Sequence, residues 1–285
     1  MFDLLRLARP WHWIKNVFVL LPIPFAIADG ARLDVSTLLL GLLGFSLINS
    51  AVYVLNDLLD AEADRAHPTK CRRPIASGRV SHSQAIAMSI ALLAVGIGLC
   101  LMTRVPQATA VALVYLATNI LYCLWAKHVA LLDVFVLASG FVLRVLLGCF
   151  LLLAVPSSWL LLCTSSIALF LAFCKRRGDL VAGLDETHRP SLKGYSLPFL
   201  DQSITICAAI TLLAYGLYLV ESDFLVPGRQ FASFPFVAYG ILHYLRLAHL
   251  EGVGASPVEM AYRSRTLQVC GFLWLAAVFW SLKIG

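Results

Sequence analysis

Long runs of apolar residues, separated by short polar stretches, recur along the entire chain. A helix needs about 20 mostly apolar residues to cross about 30 Å of hydrocarbon. Windows of that length predict nine spans, near residues 13–29, 35–56, 84–104, 107–125, 129–148, 157–174, 203–221, 231–249 and 265–283. The runs are continuous, whereas the strands of a membrane barrel alternate apolar and polar side chains over about ten residues. The pattern therefore predicts an all-α, polytopic membrane protein of about nine transmembrane helices, with one membrane-embedded domain over residues 1–285. Two polar connections are long, those after the second and sixth spans. Lying four spans apart, they should emerge on the same side, as expected if spans one to four and five to eight are weak repeats.

Composition agrees, with 60% hydrophobic and only 13% charged residues. Charge placement sets orientation, because cytoplasmic loops retain Lys and Arg. With the N-terminus inside, 17 of the 22 Lys and Arg residues fall on the inner side, which predicts a cytoplasmic-membrane protein whose working face is cytoplasmic. The net charge of +6 is then mostly a topology signal that also suits anionic headgroups and phosphates. No nucleic-acid partner is implied, membrane lipids are, and the oligomeric state is open. The eight Cys are scattered without a CxxC pair and read as small buried hydrophobes. The basic start followed by "AIA" superficially matches a cleavable leader, but Trp11, Trp13, Lys15 and Asn16 interrupt it, and "RPWHW" reads as an interfacial aromatic anchor.

Against this background, "NDLLDAEADRAHPTKCRRPIASG", residues 56–78, is an outlier in charge. Asp57, Asp60 and Asp64 stand at i, i+3, i+7, and Asn56, Asp60 and Asp64 at i, i+4, i+8, so either set shares one helix face. Carboxylates so placed repel one another, more so at a membrane edge, and call for a cation. Carboxylates with an Asn carbonyl are hard oxygen ligands of the kind Mg²⁺ accepts while sharing its other positions with water and phosphates. A solvated loop balanced by Arg65, Lys70, Arg72 and Arg73 is the simpler reading of a generic charge run. The helical spacing at the end of a span favours a metal site at Asn56, Asp57, Asp60 and Asp64. Beyond it, Pro68 and Pro74 stop the helix, and Lys70 and Arg73 are placed to take the outer oxygens of a metal-clamped diphosphate.

The other long loop, "FCKRRGDLVAGLDETHRPSLKGYS", residues 173–196, continues a helix from the sixth span. Lys175 and Asp179 are one turn apart, and Lys175, Arg176 and Arg177 read as a phosphate-binding surface, with a juxtamembrane stop signal as the alternative. His188 reads as a loop residue. Within the fifth span, Asp133 and Arg144 are eleven residues apart, about 16 Å along a helix, too far to pair. Each needs another partner, and intramembrane charge of this kind points to a cavity.

At Asn56, Asp57, Asp60 and Asp64 the chain resembles the UbiA superfamily of intramembrane prenyltransferases, through its NDxxDxxxD signature. "RPWHWIKN", "KRRGDL", "RPSLKGYS" and "YRSRTLQ" look like its decaprenyl-phosphate phosphoribosyltransferase branch. The resemblance implies helices bundled around a central cavity, a Mg²⁺ cofactor, and transfer of phosphoribose from 5-phosphoribosyl 1-diphosphate to a polyprenyl phosphate. The products would be diphosphate and a lipid-linked precursor of pentose donors for cell-wall glycan. It implies catalytic roles for Asp57, Asp60 and Lys175, and substrate contacts at Lys15, Asn16, Lys70, Arg73, Arg144, Lys175, Arg176 and Asp179. Two departures stand out. The second acidic DxxxD motif of the superfamily is replaced by Lys175, Arg176 and a single early Asp179, which suits a second substrate that is itself a phosphate. Ser264 stands where the branch more often carries an acid, leaving Arg263 and Arg265 without a role. The competing expectations are prenyl transfer from a prenyl diphosphate to an aromatic or glycerol-phosphate acceptor, and a non-enzymatic transporter of anionic lipids.

Overall fold

A computed structural model describes residues 2–28, 30–31, 33–66, 69–185, 189–250, 260 and 263–283. Nearly all of them are helical, with an isolated bridge between Leu225 and Leu282. The α-helices are α1 (Phe2–Ala8), α2 (Ile23–Ala28), α3 (Val35–Leu59), α4 (Ala61–Ala66), α5 (His82–Met102), α6 (Pro106–Leu124), α7 (Leu132–Leu151), α8 (Ser158–Val181), α9 (Leu197–Glu221), α10 (Phe234–Leu250) and α11 (Arg265–Ser281). Their starts are written in the sequence. Asp34 caps α3 by accepting from the backbone N–H groups of Ser36 and Thr37, and from both hydroxyls. The Ser36 and then the Thr37 hydroxyl hold its carboxyl down near a pKa of about 2. Ser81 and Gln84 form a reciprocal capping box on α5, and Ser157, Ser196 and Ser264 cap α8, α9 and α11.

Two expectations about the spans change. The first span is not one continuous α-helix: α1 gives way to a 3₁₀ segment, Pro10–Val19, and then to α2. Pro10, Pro22 and Pro24 lack the N–H that an α-helix interior requires, and Arg9 turns into the left-handed region at φ 49°. Seven segments among the described residues are long and apolar enough to cross a membrane. The last two expected spans are α10 and α11, of 17 described residues each, at the short end of the spanning range. Large apolar side chains such as Ile90, Met102, Leu213, Phe272 and Trp280 are exposed along these helices, as lipid-facing residues are.

The chain divides into two compact units, with a boundary between Leu124 and Trp125 where the fourth expected span ends. The first contains Met1–Ile23, Ala31–Leu124 and Leu143–Val155. Here α3 and α5 meet backbone to backbone: a Cβ on Gly44 would lie 2.7 Å from the Gly96 carbonyl oxygen, and one on Gly96 2.8 Å from that of Gly44. Small residues at a membrane helix crossing allow this approach, since lipid-exposed helices gain by packing and not by leaving water. Phe45, Ile48, Ala112, Tyr115 and Leu147 fill the adjoining core, and Leu7, Val54, Ile75 and Ala85 form a second cluster nearer the chain start.

The second unit contains Pro24–Gly30, Trp125–Val142 and Pro156–Gly285. Its core is α8 against α9, with Phe170, Phe173, Leu200 and Ile204 packed on Tyr244 of α10. Thr211 of α9 donates to Ser166 of α8 at 2.9 Å, an interhelical bond worth on average ~0.6 kcal/mol within a membrane.

Candidate active site

At the end of α3 the acidic stretch meets two arginines. Asp57 is buried, 2% exposed, and receives both carboxylate bonds from Nη2 of Arg9, at 2.7 and 2.8 Å. Nη1 of Arg73 reaches the same carboxylate at 3.1 Å and Asp64 at 2.7 Å. Asn56 donates to Asp60 at 3.2 Å and accepts from the Cys123 thiol. The helix breaks at Asp60, which caps α3 before α4 begins, so the four expected ligands separate into two pairs. Asp57 and Asp64 meet at Arg73, while Asn56 and Asp60 meet each other. Among the described residues no group of three His, Cys, Asp or Glu side chains is gathered as a metal centre. Lys70 is half-buried in the 3₁₀ turn Lys70–Arg72, and Arg72 is exposed. Pro68 lies outside the described residues.

Deeper in the same unit, Arg144 of α7 is 4% exposed. Its Nε donates to Asn16 Oδ1 at 2.9 Å and its Nη2 to the Tyr115 hydroxyl at 3.0 Å, while the guanidinium lies over the rings of Phe45 and Tyr115. Asn16 in turn donates to Ser46 at 2.8 Å and accepts from Asn49 at 3.4 Å. Neutral acceptors and ring faces thus surround the buried cation, a setting in which delocalised guanidinium is less costly than ammonium. Lys15, beside Asn16, is half-buried. Trp13, Asn16 and Ser46 also border an open, apolar groove of about 590 Å³ with Ile14, Val17 and Leu43.

In the second unit the hub is Asp133, fully buried at the start of α7. Its carboxylate accepts from Arg176 Nε at 2.7 Å, Ser191 Oγ at 2.9 Å and the Tyr195 hydroxyl at 2.5 Å, and lies 3.5 Å from Arg189 Nε. Tyr195 also accepts from the backbone N–H of Leu131 at 2.7 Å. Burial first, and then its bond to Asp133, raise the Tyr195 hydroxyl pKa well above the usual phenolic value. Arg176 is 1% exposed and also donates to Asp179, at 3.2 Å. The carboxylate of Asp179 therefore meets Arg176, one turn away at i+3. Arg177 is held by Asp201 at 2.5 Å and by the Ala248 carbonyl. Of the three consecutive cations, two carry inward structural pairs, and Lys175 is half-buried. Arg263 and Arg265 are exposed at the start of α11, and His188 lies outside the described residues.

Two residues have contacts that the sequence alone does not assign. Arg9 counted only toward topology, although its place in "RPWHWIKN" next to a proline was a usable signal. Asp133 was noticed as an intramembrane charge, but its partners lie 43 to 62 residues away.

Buried carboxylates bound to guanidiniums, in a chain of long apolar helices, mark the candidate site of a polytopic helical protein. Residues 16–255 match the UbiA prenyltransferase family, and the chain belongs to it. The decaprenyl-phosphate phosphoribosyltransferase of Mycobacterium tuberculosis is 34% identical over 97% of this chain and 93% of its own length. That of Corynebacterium glutamicum is 32% identical over 99% of this chain and 87% of its own. A UbiA homologue from Archaeoglobus fulgidus, solved bound to DMAPP and Mg²⁺, shares the fold at a TM-score of 0.74 and 18% identity, over 97% of this chain and 98% of that one.

By chemical type, the residues present suit a divalent cation, although they stand in two pairs. The donor set is all hard oxygen, as Mg²⁺ prefers. Asp57 and Asp64 already converge on a single positive group, the Nη1 of Arg73.

Proposed function

We propose that this protein is a Mg²⁺-dependent integral membrane phosphoribosyltransferase. It would move 5-phosphoribose from 5-phosphoribosyl 1-diphosphate to a polyprenyl phosphate, giving polyprenyl-phosphoryl 5-phosphoribose and diphosphate. The observation that carries the reading is the near-full-length likeness to decaprenyl-phosphate phosphoribosyltransferases. The chemistry of the chain supports it: one acidic cluster, and a cation run where a second acidic motif would otherwise stand. The protein would lie in the cytoplasmic membrane with its N-terminus and its reacting groups on the cytoplasmic side, as the Lys and Arg distribution favours.

Asn56, Asp57, Asp60 and Asp64 would hold the metal, which when bound neutralises charge developing on the leaving diphosphate. Lys70 and Arg73 donate to the outer diphosphate oxygens. As the C1–O bond to diphosphate breaks, an oxygen of the lipid phosphate forms the new bond to C1, and the diphosphate departs with the electron pair. The attacking oxygen is already anionic, so no general base is required. Lys175 orients the lipid phosphate, and Arg176, tied to Asp133 and Asp179, positions the end of α8. Lys15, Asn16 and Arg144 supply the donors that line the interior of the first unit.

The test separates the two substrates. Phosphoribosyl diphosphate binding should require Mg²⁺ and vanish in EDTA, whereas polyprenyl monophosphate binding should persist in EDTA and weaken in Lys175→Met. Mg²⁺-dependent binding of a prenyl diphosphate, with none of phosphoribosyl diphosphate, would replace this reading by prenyl transfer.

A further inference from the structure

The carboxylates of Asp57 and Asp64 are nearly closed to solvent, with side-chain exposures of 1% and 5%, while the arginines above them are 18% and 26% exposed. Charge balances within the cluster, since two carboxylates face two guanidiniums, Arg9 and Arg73. Arg9 reaches both oxygens of Asp57 from one nitrogen, Nη2, and does so from a left-handed backbone that non-glycine residues rarely adopt. A divalent ion arriving alone must therefore compete with two cations for the same oxygens, and it leaves the cluster with excess positive charge. An ion arriving with a diphosphate does not, because the ionised diphosphate outweighs the metal's charge and offers the displaced guanidiniums new oxygens.

We propose that Arg9 and Arg73 hold the metal's place before substrate arrives, and that loading of metal and diphosphate transfers both guanidiniums from Asp57 and Asp64 to diphosphate oxygens. Arg9 thereby becomes a substrate-binding residue, and metal and diphosphate bind with positive coupling, each weak without the other. The inference rests on the phosphoribosyltransferase reading for the identity of the diphosphate, but the exchange at the carboxylates does not depend on it. Long, flexible arginine side chains suit the exchange, and their planar fork serves carboxylate and phosphate equally.

The prediction is a pair of opposite changes in the purified full-length protein. Mn²⁺ binding without substrate, followed by electron paramagnetic resonance, should tighten several-fold in Arg9→Gln and in Arg73→Gln. Phosphoribosyl diphosphate binding at saturating Mg²⁺ should weaken several-fold in the same proteins. Arg9→Lys and Arg73→Lys keep the charge but lose the fork, and should show both changes with smaller amplitude, which preserves the test if a Gln form does not fold. Mn²⁺ affinity that stays the same or falls in folded variants would overturn the proposal and leave the arginines as structural pairs. If phosphoribosyl diphosphate fails to bind the unmodified protein, the functional reading falls, while the Mn²⁺ arm still decides whether guanidinium and metal exchange.

Discussion

Asp60 accepts from Asn56 at the break between α3 and α4. It is half-buried where Asp57 and Asp64 are buried, so its removal disturbs packing less than theirs would. Asp60→Ala should abolish turnover and leave the melting temperature in detergent within a few degrees, as surface changes of roughly 0.5 kcal/mol do. Near wild-type turnover at limiting Mg²⁺ would remove Asp60 from the metal set. Arg144 shows the opposite balance at the same scale. Its guanidinium completes the bonding of Asn16 and Tyr115 inside the first unit, so any contact it makes with substrate comes on top of a structural role. The sequence placed Arg144 and Asp133 out of each other's reach, because helical rise alone decides that. It could not supply their partners, since Asn16 is 128 residues from Arg144 along the chain.

At the scale of elements, Asp133 joins the start of α7, the C-terminal part of α8 and the 3₁₀ turn Pro190–Gly194 with the Tyr195 that follows it. One fully buried carboxylate accepts from Arg176, Ser191 and Tyr195, and removing its charge breaks the pair with the buried Arg176. Breaking a buried pair from one side costs about 3–5 kcal/mol. Asp133→Asn should therefore lower the melting temperature and speed amide hydrogen exchange over residues 189–195, with the α3 and α5 amides unchanged. Uniform exchange across both units would instead mean that Asp133 does not organise this turn locally. The first span teaches the complementary lesson. Its apolar run predicted a continuous helix, but three prolines within fifteen residues override the hydropathy signal and leave a 3₁₀ segment. That break carries Arg9 onto Asp57, so the feature that hydropathy missed is the one that completes the acidic cluster.

For the whole molecule, the apolar runs made the helical membrane fold legible, because backbone polar groups in lipid must be satisfied within each helix. The order of the helices, and most of their ends to within a few residues, followed from the spacing of the apolar runs. The seven long spans and the two 17-residue helices could not be separated by composition, since they differ by only a few residues in length. The motifs located Asn56, Asp57, Asp60 and Asp64, and the cation run of α8, by residue type alone. Which cation faces which carboxylate depends on contacts far apart in sequence, such as those of Arg176 with Asp133. The central claim is the transfer itself. Purified protein should be incubated with Mg²⁺, polyprenyl phosphate and 5-phosphoribosyl 1-diphosphate labelled in the ribose, and the label followed into the organic phase. The account predicts lipid-soluble label that requires both Mg²⁺ and polyprenyl phosphate and is absent in Asp60→Ala. Label that stays in the aqueous phase, while the same protein transfers a prenyl group from a prenyl diphosphate to an aromatic or glycerol-phosphate acceptor, would contradict it.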